Sequence, residues 1–357
     1  MNHLINISIG IDTVYLYCAL TYKQARAIID TIAKLSAFFT EFDDYEFDRY
    51  ACRSEHFADR GIKIRAAKYG GGPWGLYILL HPALLLGSDD RSALYQPTKG
   101  NYHELLKRAR KLFAKLNIPF KLEDMALIRV DVTMNLVFDD PEYVSSYLRI
   151  IKKGFILAHY KLDWFREDEH KARDPKEANR HSYKQRCKSA CYFAYDKSAQ
   201  LQMIDKFPEA LVGKHILRLE AQLTSRAIKK WIDRDARGDQ YKTLRQLVKN
   251  GSKFHRWYLK RMGLLAGEHL RYEEAVELVS GVKGKKTRKR MLQIMDALGY
   301  NKANLSNVLD KLELKPNAAS KALREFSKLG ISPITVPNAE DASLPGLAEL
   351  LELPLEK

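Results

Sequence analysis

Residues 128–136 read IRVDVTMNL, and apolar and polar side chains alternate along the whole stretch. Successive residues of a strand point to opposite faces, so Val130 and Val132 share one face while Arg129 and Asp131 share the other. Such alternation is typical of a strand that is buried on one side only. We therefore expect a sheet with an apolar inner face and a polar face that carries functional groups.

Two later stretches repeat this alternation, namely residues 191–197 (CYFAYDK) and residues 217–223 (LRLEAQL). Their polar positions add four residues that could carry chemistry: Tyr195, Lys197, Arg218 and Glu220. If the three strands belong to one sheet, an Asp, a Glu and a Tyr converge on one surface. Each residue alone has an ordinary structural explanation, because strand carboxylates often pair with a neighbouring arginine and a lone tyrosine is usually a packed ring.

The composition favours a polyanionic partner. The chain has 357 residues with 60 Lys and Arg against 44 Asp and Glu, which gives a net charge of +16. An excess of this kind is typical of proteins that bind nucleic acid. The most apolar stretch, residues 76–86, is too short to span a bilayer and contains a proline. With no signal peptide and no paired zinc spacing among its four cysteines, the sequence predicts a cytoplasmic protein with no membrane partner.

The order of predicted elements indicates an α+β fold. Strands are predicted at residues 14–20, 62–69, 76–80 and 129–136, and helices at residues 23–39, at residues 101–116 and after Asp139. Residues 165–188 have no clear period and predict a loop or hairpin near the site. We expect an antiparallel-sheet domain over residues 1–230, followed by a mostly helical C-terminal domain over residues 231–357.

The C-terminal third predicts helices at residues 244–259, 272–279, 288–298, 305–312 and 318–329, with a strand signal only at residues 334–336. A basic run, residues 283–290 (KGKKTRKR), lies between two of these helices. It could contact phosphates or simply form a solvated helix start.

The polar residues of the three strands are those that phosphodiester cleavage requires. Two carboxylates, Asp131 and Glu220, could hold a divalent metal ion, and Tyr195 could attack a phosphate. A phenol is protonated at neutral pH, so a cation helps it react, and Lys197 follows on the same predicted strand face. Tyr192 is at an odd offset from Tyr195 and is expected in the core or on the opposite face.

The ordered set of Arg-x-Asp, Tyr-Asp-Lys and Arg-x-Glu strands resembles the tyrosine rolling-circle replication initiators, in particular the filamentous-phage gene II/X replication protein group and related plasmid initiators. Residues 78–87 and 329–337 resemble further segments of these proteins, and the likeness extends over most of residues 60–340 as scattered short motifs. It implies an origin-specific enzyme that nicks one DNA strand, stays joined to the 5′ phosphate through tyrosine, and later rejoins the strand.

The resemblance also implies residue roles and partners. Tyr195 matches the nucleophile, Asp131 and Glu220 match the carboxylates near the metal, and Arg129, Arg218 and Lys197 match flanking basic positions. The partners implied are the double-stranded origin, the nicked single strand, and host helicase and polymerase. Residues 1–230 would then be the nicking and joining domain.

The predicted metal is Mg²⁺ or Mn²⁺. Many rolling-circle nickases bind their metal through two histidines one residue apart, but none of the ten histidines here forms a His-x-His pair. His81 is expected to be packed or to cap a helix, and His181 and His215 are weaker candidates as ligands. A carboxylate site favours a hard cation over Zn²⁺.

Two other functions fit parts of the pattern. The first is a DNA-binding replication regulator that does not cut. The second is an RNA-binding protein, although the paired sheet aromatics on which RNA-binding modules stack bases are not evident. Residues 303–312 and 318–329 resemble a helix-turn-helix only loosely, and a helical hairpin is the expected structure.

Overall fold

A computed structural model of the protein describes residues 3–35, 39–44, 49–54, 57–163, 179–204, 206–300, 303–337 and 343–351. For residues 39–44 and 49–54 only the backbone is considered. Within these ranges the fold is α+β, as predicted, and ten antiparallel strands form one sheet in the order β2-β3-β4-β5-β1-β6-β10-β9-β8-β7. The strands are β1 (Leu4–Leu20), β2 (Phe39–Asp44), β3 (Arg49–Ser54), β4 (Ile62–Tyr69), β5 (Trp74–Leu80), β6 (Ala126–Phe138), β7 (Lys161–Leu162), β8 (Ser182–Arg186), β9 (Ala190–Asp196) and β10 (His215–Thr224).

Thirteen α-helices lie in the described part of the chain. They are α1 (Tyr22–Leu35), α2 (Pro82–Leu85), α3 (Lys99–Lys115), α4 (Pro141–Lys153), α5 (Lys197–Met203), α6 (Ser225–Ile228), α7 (Gln240–Lys249), α8 (Gly251–Arg261), α9 (Tyr272–Ser280), α10 (Lys285–Tyr300), α11 (Leu305–Lys311), α12 (Pro316–Lys328) and α13 (Leu347–Leu350). No described helix has both the length and the apolar composition needed to cross a lipid bilayer.

Strand β1 changes the face of its apolar residues halfway along. Ile9 and Ile11 are buried before Asp12, whereas Val14 and Leu16 are buried after it. The pairing of β1 with β6 shifts by one residue at the same point, so Asp12 is the extra residue of a β-bulge. The predicted strand, residues 14–20, covers only the second half of β1.

The apolar face of the sheet packs against helices of the C-terminal part. Leu219 of β10 and Val132 of β6 are fully buried in one core with Phe254 of α8. Gly251, the first residue of α8, lies against β1, and a Cβ atom there would be 2.4 Å from Cγ2 of Ile9. Glycine is therefore required for this close approach.

The helix predicted over residues 244–259 is two helices, α7 and α8, which meet at Asn250. The Asn250 amide donates a hydrogen bond to the Trp231 carbonyl at 3.0 Å, and this contact fixes the corner. Periodicity missed the break because the apolar spacing continues through the Asn-Gly pair.

The remaining predicted C-terminal helices correspond to α9, α10, α11 and α12. The strand predicted at residues 334–336 is wrong, because Val336 forms only an isolated bridge with Arg271. Buried apolar residues run from the sheet into these helices as one core. The domain boundary after residue 230 stays a prediction.

One N-terminal prediction needs correction, and one central prediction of a loop or hairpin lies partly outside the described residues. The helix predicted over residues 23–39 ends at Leu35, and Phe39 begins strand β2. Of residues 165–188, those up to 178 lie outside the described residues, while residues 182–186 form β8 and pair with β9 as an antiparallel hairpin.

Candidate active site

Strands β6 and β10 are neighbours in the sheet, and their polar positions coincide. In the antiparallel register Asp131 lies opposite Gln222, and Glu220 lies opposite Thr133. Directly paired residues of an antiparallel ladder point to the same face. The structure therefore brings the two predicted acids, Asp131 and Glu220, to one face, and both are almost fully buried there.

Tyr195 reaches the same face from β9, where it lies opposite Arg218 of β10. Its hydroxyl donates a hydrogen bond to Oε2 of Glu220 at 3.1 Å, and the Gln222 amide donates to Oε1 of Glu220 at 2.7 Å. The phenol oxygen thus meets a carboxylate and not an apolar side chain. The residue is only 5% exposed, so little of it is open to solvent.

The environment of Tyr195 disfavours its ionised form. Burial and the Glu220 charge raise the pKa of Tyr195 well above its usual value, and Arg218 opposes this. The cation predicted to ionise the phenol was Lys197, whereas in the structure Arg218 acts in that direction. Proton transfer from the phenol therefore needs an acceptor, and Glu220 is already hydrogen-bonded to it.

Lys197 does not continue strand β9, contrary to the prediction. The Asp196 carboxylate accepts a hydrogen bond from the Ala199 amide at 2.8 Å, so Asp196 caps helix α5 and Lys197 is its first residue. The Lys197 ammonium is buried and donates to Oε1 of Gln200 at 2.8 Å. Burial and the charge of Arg218 lower the pKa of Lys197 to about 7.

Arg218 is fully buried and holds three segments together. Its guanidinium donates to Oδ1 of Asp12 at 2.9 Å, to Oδ1 of Asn135 at 2.8 Å and to the Ser92 carbonyl at 2.6 Å. These donors are occupied inside the protein. In this structure Arg218 is therefore a positioning residue, and its role as a basic residue beside the scissile phosphate stays a prediction.

Asp12 is the site residue that sequence reasoning missed. The bulge in β1 turns its carboxylate toward Arg218, on the polar face. Burial raises the pKa of Asp12, but Arg218, Lys197 and His81 outweigh it and hold that pKa below its usual value. A signal existed, since the alternation of apolar residues changes phase between residues 11 and 14.

Arg129 pairs with Asp131 instead of facing open solvent alone. Its Nε lies 2.9 Å from Oδ1 of Asp131, and a second guanidinium nitrogen donates to Oδ2 at 2.9 Å. The same guanidinium lies 5.6 Å from the ring centre of Tyr15. Burial and the Glu220 charge nevertheless raise the pKa of Asp131 well above its usual value, with Arg129 opposing them. A phosphate contact of Arg129 would compete with this ion pair.

The oxygen atoms at this face fit a hard divalent cation in their chemistry. Among the described residues, Oγ1 of Thr133 is buried and has no hydrogen-bond partner, and Oδ1 of Asp131 is buried against Nε of Arg129, 2.9 Å away. Burial and the Glu220 charge raise the pKa of Asp131, and burial and the Asp12 charge raise the pKa of Glu220, as happens when negative charge is insufficiently compensated. The described ranges contain no group of three or more His, Cys, Asp or Glu residues placed to hold a metal. Mg²⁺ commonly needs only one or two carboxylates beside water and substrate phosphate.

The three histidines considered as ligands have different surroundings. His181 Nδ1 lies 3.8 Å from Oδ2 of Asp196, and His181 and His215 both oppose the rise that burial causes in the pKa of Asp196. His81 precedes the short helix α2, as expected of a capping position, although its side chain makes no capping hydrogen bond. Burial lowers the pKa of His81, and the nearby Asp12 opposes this.

Tyr192 lies on the opposite face of the sheet, as predicted. Its ring is fully buried and stacks on Tyr258 with ring centres 4.3 Å apart.

No model of a known protein family matches the chain, and no curated protein matches it. The resemblance to rolling-circle initiators therefore stays a prediction, and the geometry of this face has to carry the functional argument.

Proposed function

We propose that the protein initiates rolling-circle replication by nicking one strand of an origin and joining it to Tyr195. The observation that carries the proposal is the hydrogen bond from the Tyr195 hydroxyl to Glu220, on a face that Asp131 shares. A nucleophile in contact with a proton acceptor is the arrangement that covalent catalysis requires. The net charge of +16 supports DNA as the partner.

The chemical step follows from this contact. Glu220 takes the phenol proton while the Tyr195 oxygen attacks the scissile phosphorus and forms a tyrosine–phosphate ester. The bond from phosphorus to the 3′ oxygen breaks, and that oxygen takes up a proton to become the free 3′ hydroxyl. Because the raised pKa of Glu220 makes it a stronger base than an ordinary glutamate, it suits this transfer.

Asp131 and Glu220 are the residues that would hold Mg²⁺ or Mn²⁺. A bound ion would supply charge stabilisation for the scissile phosphate. Gln222 orients Glu220 through the 2.7 Å hydrogen bond, and Arg218 fixes Asp12 and the polar face around it. Lys197, with a pKa of about 7, can hold or release a proton next to these acids near neutral pH.

A DNA-binding regulator that does not cut is the second candidate, and the burial of the reacting groups favours it. Tyr195 is 5% exposed and Asp131 only 1%. A scissile phosphate must reach the phenol oxygen, so cleavage requires that the face opens when DNA binds. A regulator would need no such opening.

The two candidates differ in one assay. The protein is incubated with a supercoiled plasmid carrying its own origin and Mg²⁺, and nicked circles are examined for protein attached at the 5′ end. We expect wild type and Tyr192→Phe to form the adduct, because Tyr192 lies on the opposite face of the sheet. Tyr195→Phe should form none while its DNA affinity stays within about tenfold, because phosphate contacts provide most of the binding.

An adduct that persists in Tyr195→Phe and disappears in Tyr192→Phe would refute the assignment of the nucleophile. Wild-type protein that binds the origin with normal affinity and never nicks it would favour the regulator. A salt titration of binding serves as the control for DNA recognition, since it responds in both cases.

A further inference from the structure

The face that carries the candidate active site continues across β1, β5 and β4 as a surface of tyrosine rings. We call Tyr15, Tyr17, Tyr69 and Tyr77 the tyrosine platform. The ring centres of Tyr17 and Tyr77 are 5.1 Å apart, and those of Tyr15 and Tyr77 are 6.1 Å apart. Tyr15 and Tyr17 come from β1, Tyr77 from β5 and Tyr69 from β4, so the sequence shows only part of the set, as the Tyr-x-Tyr of residues 15–17.

The platform is the accessible side of these strands. Tyr69 is 44% exposed, and the other three tyrosines are half-buried. Leu16 and Ile78, which alternate with them along β1 and β5, are fully buried in the core. Rings placed for packing would be expected on that inner side.

Arginines lie over the rings of the platform. The Arg65 guanidinium is 5.0 Å from the ring centre of Tyr69 and 5.6 Å from that of Tyr77, and Arg129 is 5.6 Å from Tyr15. Within the described residues the Nε of Arg65 is buried and has no hydrogen-bond partner. Planar cations interleaved with aromatic rings are the combination with which proteins stack nucleobases and contact phosphates.

A glycine makes room for the two central rings. A Cβ atom on Gly75 would lie 2.7 Å from Cε2 of Tyr17 and 3.0 Å from Cε2 of Tyr77. Gly75 pairs with Ala19 of β1, two residues along the strands from the Tyr17–Tyr77 pair. The missing side chain therefore lets both rings lie over β5.

The platform is continuous with the candidate active site. Tyr15 lies opposite Arg129 in the register of β1 and β6, and Arg129 binds Asp131. Thr13, one step along the same face, lies opposite Asp131 itself. A strand whose bases stacked on the platform would thus place its backbone next to the acids.

We propose that the tyrosine platform binds the bases of single-stranded DNA and leads that strand to the candidate active site. The choice of DNA over RNA rests on the proposed function, whereas base stacking rests on the platform alone. Stacking needs exposed base faces, which a duplex hides. Single strands should therefore bind better than duplex DNA of the same length.

The test measures binding without any cleavage. Fluorescence anisotropy of a labelled 20-nucleotide DNA of mixed sequence is recorded with Tyr195→Phe protein as the background and with no divalent metal. Tyr77→Leu, which removes the ring, should weaken binding by at least about fivefold, while Tyr77→Phe, which keeps it, should change binding less than about twofold. Tyr241→Leu is the matched control, because Tyr241 is a half-buried ring paired with Tyr102, 5.4 Å away between ring centres.

Tyr69→Leu is a second variant that should weaken binding, and its exposed position spares the fold. The proposal is overturned if both leucine variants bind single strands as tightly as the background protein, or if duplex competes as well as single-stranded DNA. Tighter binding of an RNA of the same sequence would overturn the choice of DNA. Loss of binding in the leucine variants would support the platform even if the plasmid assay detected no adduct, so the two proposals fail separately.

Discussion

Replacing Arg218 with methionine tests whether this buried cation organises the polar face. The substitution keeps an unbranched side chain of similar length but removes three donated hydrogen bonds. Asp12 loses the partner at 2.9 Å that holds its pKa down, and the Ser92 carbonyl loses a bond of 2.6 Å. The carboxylate of Asp12 is then largely buried without its main counter-ion.

The expected magnitude follows from that loss. Removing one partner of a buried ion pair costs about 3–5 kcal/mol of unfolding free energy. The unfolding entropy of a folded chain is about 2.1 cal/mol/K per residue, or about 0.7 kcal/mol/K for 357 residues unfolding together. Arg218→Met should therefore lower the melting temperature by about 4–7 °C.

The assay is thermal and urea unfolding of wild type, Arg218→Met, Asp12→Asn and the double variant. Asp12→Asn in the Arg218→Met background removes the unpaired acid, so the double variant should be at least about 1 kcal/mol more stable than additivity predicts. Arg226→Met is the matched control, because Arg226 is exposed and its loss should change stability by less than about 0.5 kcal/mol. Strict additivity of Arg218→Met and Asp12→Asn would refute the role of the pair.

Three further outcomes are expected. Tyr195→Phe should lower the unfolding free energy by about 1–3 kcal/mol, measured by urea titration, because Glu220 loses a donor; an unchanged midpoint would contradict this. The pKa of Lys197 is lowered to about 7, so between about pH 7 and 10 the unfolded chain binds more protons than the folded chain, and the unfolding free energy should rise with pH across that window. In Lys197→Met the unfolding free energy should rise less over the same window, and an equal rise would count against the buried ammonium. Because the pKa values of Asp131 and Glu220 are raised, Mg²⁺ should bind more weakly at pH 6 than at pH 8, and its binding should release protons. Calorimetry in two buffers would detect this release, and binding that releases no protons would exclude these acids as ligands.

The central strands were predictable because their faces differ. Alternation placed Asp131, Glu220 and Tyr195 on polar positions, and the register of β6, β10 and β9 brings them to one face. Alternation carries no information about which strands are neighbours. The order of the sheet, in which β1 separates β5 from β6, depends on packing between residues far apart in the chain.

The errors have local causes. Lys197 was assigned to a strand because the alternation continues through residue 197, but the Asp196 carboxylate caps a helix start and ends the strand. Arg218 was matched only to a basic position flanking the site, because the sequence does not show that a cation on a polar strand face is buried against an acid from another strand. Asp12 was missed because its bulge interrupts the pattern on which strand prediction relies.

The bulge at Asp12 has one more consequence. Without Asp12, Ile11 would be followed directly by Thr13, and the buried residues 9, 11, 14 and 16 would then fall at every second position of the strand. The pairing with β6 would then lose its shift at this point, while the shifts between residues 4 and 6 and between residues 15 and 16 would remain, and the third acid would be missing. The protein thus has one amino acid more than this part of its sheet requires, and losing that codon would leave the buried Arg218 without its anion, at a cost of about 3–5 kcal/mol.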